Sequence, residues 1–556
     1  MNPVASTKCV CAGRLLVALA AIASILLLAG CGSGSSAPAP NNEGFTNSNL
    51  KGTYVLSISG SDFHPSTVTG SFFAIVGTIT ADGNGNITGG TVDINDLNLG
   101  GTGVFLAQPV GATTYTVSSD GRGTAKLPTP KGNFGLDFVL TSNGHGLITR
   151  FDIAGSGSGT LDLQGSASQS SLGSLAFSLA GADYTEANKI LALGTVGAFT
   201  LNTSTGAITS GTQDFNDNGV STVSGSTGLP LSGSVVLSSD TSGTAVLSTS
   251  SIFGSLGFDV WVIDSTHLKL IETDTAALGY ALSGDAFTQQ TSFTAGQLVF
   301  TIAGSNSTGE PFGAGGYVTT DVKGNLSTGV EDFNDFGNFV LGSDFTGACA
   351  TFTAGRCQLE LTGFTNTTFA AYPSSGGVLL LENDNNALAI TQGAAYAQTA
   401  TSFAASTGYG LNLSGVNANP NFGSSGAEVD TIAQFHAGSP DTSSSGPPNM
   451  SGLVDENDLA YALNFGRQLV GIYIPDSTPD GRGSIGAIIN GTLINGLKLE
   501  YYVIDGSTIL FVEGDTSQIA VGTFQAQSAT GSAAAAQSRM AIVHPAVRAH
   551  GALPSK

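Results

Sequence analysis

Gly135-Leu136-Asp137-Phe138-Val139-Leu140 is the stretch on which the fold turns. Leu136, Phe138 and Leu140 fall on one face and Asp137 and Val139 on the other, the period of two that marks a β-strand. The stretch aligns without gaps on Gly257-Phe258-Asp259-Val260-Trp261-Val262, and both copies continue through a turn, at His145 and His267, to Asp152 and Asp274. A further copy runs from Leu497 through Ile504-Asp505-Gly506-Ser507 to Asp515. What recurs is therefore a hairpin, and a recurring hairpin inside one chain signals tandem repeats.

Other landmarks keep step with it. An Asp-x-Asn-Asp element occurs four times: at Asp93–Asp96, Asp214–Asp217, Asp332–Asp335 and Asp455–Asp458, spaced by 121, 118 and 123 residues. Each repeat opens on an alternating strand that ends at Gly60, Gly181, Gly304 or Gly415. Each carries a second turn, as in Asp120-Gly121-Arg122, Asp240-Thr241-Ser242, Gly355-Arg356-Cys357 and Asp480-Gly481-Arg482, and each closes near a glutamine: Gln164, Gln289, Gln398 or Gln527. These landmarks divide the chain into repeats at 50–168, 169–290, 291–400 and 401–527, with 528–556 as an Ala-rich mobile tail. At about 120 residues each repeat is long enough for its own core, and four separately stable units are expected.

The first repeat contains about eight short strands joined by short connections, an antiparallel meander. The fold class expected is all-β: four tandem meanders, each closing into an up-and-down β-barrel, with two-sheet sandwiches as the alternative. Closure also removes the free sheet edges that neighbouring β domains would otherwise pair. Leu50-Lys51-Gly52-Thr53-Tyr54 resembles the first strand of lipocalin-like barrels. Composition agrees with an all-β body: 78 of 556 residues are glycine, and only 10% of residues are charged against about a quarter in average proteins. The 41% apolar share, regularly alternating, argues against a disordered stalk.

The first thirty residues read as an export leader. Lys8 and Arg14 precede an apolar run, Leu15 to Leu28, too short for a membrane span of about 20 residues. The run ends in Leu28-Ala29-Gly30-Cys31, which resembles the lipobox of bacterial lipoproteins. The resemblance implies cleavage before Cys31, lipid on Cys31 as the partner of a membrane and, because Gly32 stands where an aspartate would signal retention, the outer membrane. Residues 31–49 read as a flexible Gly/Ser/Pro tether. Across the mature part the repeat pattern resembles β-rich tandem-repeat lipoproteins of soil bacteria, a likeness that implies no activity. Removing the two basic leader residues takes the formal charge from −23 to −25. A body this acidic should repel nucleic acid.

Candidate chemistry is sparse. Cys349 and Cys357 are expected to form one disulfide, as befits an exported pair. A two-residue turn would set Cys357 opposite Phe352, so a wider turn centred on Thr353 is expected. Asp82, Asn84 and Asn86, followed by Asp93, have the spacing of a calcium loop. The sister copies substitute those positions, with Lys323 in the third, and share only Gly85, Gly206 and Gly324, which points to a tight turn with positive φ. The eight aspartates Asp93, Asp96, Asp214, Asp217, Asp332, Asp335, Asp455 and Asp458 form a candidate binding edge, or cap turns through their own backbone. Glu272, Glu382 and Glu513 occupy matching places where the first repeat has Arg150; facing outward, they would be solvated charges, and facing a barrel interior, ligand contacts. His145 and His267 read as surface residues beside a turn. No nucleophile elbow, cofactor fingerprint or metal-spaced histidine pair occurs. The function expected is a non-enzymatic structural, adhesive or ligand-binding role in the cell envelope, without a cofactor, with an envelope polymer, another surface or a small apolar ligand as partner. The rivals are a carrier of small apolar molecules in the barrels, which would need an interior cavity beside residues such as Leu136, Phe138 and Leu140, and a surface hydrolase.

Overall fold

The computed structural model describes residues 41–530 apart from 64–69, 186–189, 222–227, 251–252, 275–278, 354, 365–367, 385–387, 418–426, 441–447, 460–461, 479 and 490–495. Cys31, the leader and residues 531–556 lie outside the described residues. The first repeat builds β1 (Lys51–Phe63), β2 (Gly70–Asp82), β3 (Asn86–Asp96), β4 (Val104–Val110), β5 (Thr113–Val117), β6 (Arg122–Thr129), β7 (Gly132–Leu140), β8 (His145–Asp152) and β9 (Gly155–Leu163). Every pairing is antiparallel, and β9 returns to β1 to close the barrel. β4 and β5 lie end to end along β3, from Asn95↔Val104 to Asn86↔Thr114, so they act as one broken fourth strand of an eight-stranded barrel. In the third repeat the same place is taken by a single strand, Asn338–Thr353.

The second repeat repeats this course over 174–288, closing its remaining side through a bridge between Ala207 and Ser234. The third, over 296–397, and the fourth, over 407–526, are closed eight-stranded barrels. The expected fold is what the chain adopts. Meander connectivity fixes this outcome, since each strand pairs with its sequence neighbours and only the first and last remain to be joined. That last joint is tight. Gly159, Gly284, Gly393 and Gly522 hold equivalent places on the closing strands, where a Cβ would collide with the carbonyl oxygen of Ser57, Ser178, Thr301 or Asn412 on the opening strand. Glycine there permits the close backbone approach.

The alternating residues fill the interiors. Tyr54, Ile58, Leu136, Phe138 and Leu140 belong to the core of barrel 1, and comparable apolar clusters fill the other three. Smaller apolar clusters lie between barrels. Phe72, Ala74 and Val76 of barrel 1 meet Ile271 and Ala281 of barrel 2, and Ala176 and Val196 of barrel 2 meet Leu379 and Leu381 of barrel 3. Val299 and Ala303 of barrel 3 meet Tyr502 and Val512 of barrel 4. Val139 and Leu147 of barrel 1 meet Ile432 of barrel 4.

The fourth barrel thus packs on the first, and the four make a closed ring. At each seam the opening strands of one barrel face the last strands of the next, and the same holds from barrel 4 to barrel 1. Such a head-to-tail interface generates a ring when its rotation closes. The four units expected from the repeats do not stand apart: every barrel buries apolar surface on two neighbours. Two boundaries also shift. Residues 41–49, expected in the tether, cap barrel 1, with Phe45 buried in its core. Ser528 and Ala529, expected in the tail, dock on barrel 1: the Ser528 N–H donates to the Thr141 carbonyl at 2.8 Å, and the Asn49 side chain donates to the Ala529 carbonyl at 2.8 Å.

Candidate functional site

The Asp-x-Asn-Asp elements end the third strand of each barrel and project into the seams. Their asparagines clasp the last hairpin of the next barrel. Asn95 Nδ2 donates to the Glu272 carbonyl and carboxylate at 3.2 and 3.0 Å. Asn216 Nδ2 donates to the carbonyls of Glu382 and Ala389 at 2.8 and 3.1 Å. Asn334 Nδ2 reaches the carbonyls of Glu513, Asp515 and Gln518 at 3.1, 2.8 and 3.2 Å. Asn457 Nδ2 reaches those of Arg150, Asp152 and Gly155 in barrel 1 at 3.1, 3.3 and 2.8 Å. Hairpin carbonyls buried at a seam need donors, and a side-chain amide supplies two protons to them.

The first aspartate of each element is held by the next barrel through an aromatic donor, an arginine or both. Trp261 Nε1 donates to Asp93 at 2.8 Å. Asp214 accepts from Arg356 Nε and Nη2 at 2.6 and 2.7 Å and from the Tyr372 hydroxyl at 2.5 Å. Asp332 accepts from Arg482 Nε and Nη2 at 2.7 and 2.8 Å and from the Tyr502 hydroxyl. Asp455 accepts from Arg122 Nη1 at 2.7 Å. The planar guanidinium fork suits a carboxylate, and such charge-assisted bonds are among the stronger ones.

The last aspartates stay nearer home. Asp96 caps a short turn by accepting from Asn98 N at 2.8 Å; burial and the neighbouring Asp62 push its carboxyl up to about 8. Asp335 accepts from Asn306 at 2.5 Å, and Asp458 from Asn417 at 3.4 Å, both within their own barrels. Burial raises Asp458 to about 7. Asp217 is half-buried at the equivalent strand end of barrel 2. The aspartates are therefore taken up inside the ring itself.

Glu272, Glu382 and Glu513 are not solvated; they are 1%, 1% and 0% exposed, at the end of the strand face that carries Leu270, Leu380 and Phe511 into the barrel cores, each on the hairpin that the preceding barrel's asparagine clasps. Burial pushes Glu272 up to about 8 and holds Glu382 and Glu513 well above the usual carboxylate range, helped by Asp274, Asp384 and Asp515 respectively. Arg150, at the same place in barrel 1, pairs with Asp62 at 3.3 Å and Asp152 at 3.1 Å. His145 and His267, expected at the surface, are buried: His145 Nδ1 lies 2.7 Å from Asp162, and His267 Nε2 lies 2.6 Å from Asp285, which also pairs with Lys269 at 2.6 Å. Burial opposes a charged Asp162, but the His145 charge and hydrogen bond outweigh it and hold that carboxyl below its ordinary range.

The calcium spacing does not gather its residues. Asp82 accepts from Asn84 N, Asn86 N and Asn86 Nδ2 at 2.7, 3.0 and 2.7 Å, closing a turn, while Asp93 is turned away into the seam with Trp261. Asp321 forms the same turn with Lys323 and Asn325 in barrel 3. Gly85, Gly206 and Gly324 have φ of 97°, 73° and 86°, as the tight turn requires. Cys349 and Cys357 are disulfide-bonded with Cα atoms 5.6 Å apart. The wider turn does not form; Cys357 does stand opposite Phe352, and an irregularity in register between Cys349 and Thr351 brings Cys349 within reach.

Sequence reasoning missed the partners. Arg122, Arg356 and Arg482 stood in the recurrent second turn, and the closing glutamines stood at matching places. Gln164, Gln398 and Gln527 each donate to two carbonyls of the next barrel: those of Thr241 and Val262, Asp480 and Val503, and Asp120 and Leu140. The recurrence of arginine and glutamine was the signal; that their targets lie one repeat on was not readable. Barrel 3 has a partly open cavity of about 40 Å³ lined wholly by apolar residues, among them Phe300, Phe345, Phe364 and Phe369.

No family model matches the sequence, and no curated protein matches it. Among solved structures, the chain is similar to a Trp-176-Ala mutant of transferrin binding protein B from Haemophilus parasuis, at 8% identity and a TM-score of 0.17, over 71% of this chain and 85% of that one. A likeness that slight carries no argument about fold or function.

Proposed function

We propose that the mature chain is a lipid-anchored, non-catalytic body of the cell envelope, held to the outer membrane through Cys31 and acting as a rigid scaffold or binding module. The observation that carries this reading is the use made of the recurrent polar residues. The groups repeated from barrel to barrel, which catalysis would need free and convergent, spend their hydrogen bonds on holding one barrel to the next. A carrier of apolar molecules has less support. A dry cavity near 150 Å³ is needed to take even a benzene-sized guest, and that in barrel 3 is about 40 Å³. The disulfide accords with an exported protein.

The anchor is tested by labelling cells with radioactive palmitate. Cys31→Ser should lose the label and accumulate as precursor; undiminished label would remove the anchor from the proposal. Catalysis is tested with the purified mature protein on ester, glycoside and peptide substrates. Turnover lost on changing one buried carboxylate or histidine, with the fold intact, would make the protein a hydrolase.

A further inference from the structure

Three of the four seams are spanned by the chain itself, along 164–173, 289–295 and 398–406. At each, the closing glutamine or the residue beside it bonds the next barrel: Gly165 N to Ile263 O at 2.8 Å, Gln290 N to Pro373 O at 2.9 Å and Thr399 N to Ile504 O at 2.7 Å. An apolar residue of the connection then plugs the next barrel: Ala167 and Leu172, Phe293 and, at the edge of its core, Phe403. The fourth seam repeats all of this with a cut connection. Gln527 and Ser528 supply the bonds from the end of repeat 4, and Phe45 supplies the plug from the start of repeat 1. Asn41 reaches back to barrel 4, donating to Gln434 at 3.0 Å and to the Ser451 carbonyl at 3.1 Å. The two halves meet near Gly44 and Ala529.

This joint alone is closed without a covalent span. Across it Asn457 clasps three barrel 1 carbonyls, Arg122 pairs with Asp455 at 2.7 Å, and Ser156 and Ser158 donate to Asp430 at 2.7 and 2.6 Å. The two faces are different patches, so the contact is heterologous: barrel 4 of one copy fits barrel 1 of any copy. Closure within one chain wins because the two faces are held together at an effective concentration of about mM or more.

We propose that the joint between barrels 4 and 1 is a self-association surface whose partner is a second copy of this chain, with two opened rings exchanging ends to form a dimer closed by two intermolecular joints. Each 4-to-1 joint of the exchanged dimer repeats the contacts of the single ring, while another seam in each chain opens to make room for the second copy.

Charge reversal tests it. R122E sets two carboxylates against each other across the joint, and D455R sets two guanidinium groups there, so each variant spoils its own ring. Mixed, the two can form one exchanged joint from the unaltered Arg122 and Asp455 and the other from the two introduced side chains, which are again opposite in charge. Purified mature protein of each kind is unfolded, refolded alone and together, and weighed by native mass spectrometry with one variant isotopically heavy. The result expected is a one-to-one dimer in the mixture at least about tenfold above the dimer of either variant alone. Monomers throughout the mixture would overturn the proposal. Should neither variant refold, the unaltered chain, half of it heavy, is refolded at about 10 μM and about 1 mM. Mixed-isotope dimer should rise steeply toward the higher concentration, where it rivals closure in cis, and disappear in an S158C, D430C chain oxidised to lock the joint. Absence of dimer at both concentrations, or an equal yield from the locked chain, would also overturn it.

Discussion

A single arginine illustrates how much one side chain holds. Arg482 has its guanidinium on Asp332, whose carboxylate is buried in the seam. Arg482→Ala leaves that carboxylate with the Tyr502 hydroxyl and the Gly342 N–H alone. Removing one partner of a buried pair costs about 3–5 kcal/mol, and urea denaturation of the variant should show a loss of that size. Lys at 482 should restore only part of it, because an ammonium cannot make the fork. At this scale the sequence was partly legible. The Asp-x-Asn-Asp spacing singled out residues that the seams use, though not for the binding edge expected of them, and the glycine of the tight turn was readable because backbone conformation is local. The acceptors of Asn457 were not, since they lie about 300 residues away and are backbone carbonyls that no composition marks.

Among the elements, the strand that closes each barrel is the most constrained. At Gly393 a Cβ would run into the carbonyl of Thr301. Gly393→Ala should therefore separate the closing strand from the opening one and cost more than the ~1 kcal/mol typical of a point substitution, whereas Gly173→Ala, with open space around it, should be close to neutral. Thermal melts of the two variants give the comparison. Strand periodicity, hairpin turns and the barrel were legible because pairing between sequence neighbours leaves few topologies. The register near Cys349 was misjudged, because a bulge adds a residue to one strand against its partner and leaves no mark in the alternation of either.

For the molecule as a whole, the ring predicts one unfolding transition and not four. It also predicts an unusual dependence on pH. Buried carboxyls with raised values, such as Glu272 and Asp137 at about 8 and Glu456 and Glu500 at about 7, favour the fold while protonated. Their contribution is full below the ordinary carboxyl range and falls as pH climbs from about 4.5 toward 8. Asp162 and Asp285, held low by His145 and by Lys269 with His267 against the cost of burial, work in the opposite sense and lose stability in stronger acid. Calorimetry should find a higher melting temperature near pH 5 than near pH 8. Glu513→Gln should flatten that slope without shifting the acid limb. A melting temperature that climbs from pH 5 to pH 8 would contradict the raised values. Little of this was legible in the sequence, where the same glutamates stood open to two readings, a solvated charge or an interior group, and the seam that buries them lies one repeat away.

The four first aspartates do not share one set of partners. Asp93 takes an indole, Asp214 and Asp332 each take a guanidinium with a phenol, and Asp455 takes a guanidinium without one. Homologous barrels in one chain risk docking in the wrong order as they fold. A barrel 2 that met barrel 2 of another chain in place of barrel 3 would bury Asp214 against Ser242, which replaces the arginine, and leave an unneutralised charge in the seam. The indole at Trp261 therefore sets the joint onto barrel 2 apart from the arginine joints and disfavours misordered docking there, whereas the joints onto barrels 3 and 4 share one set of partners.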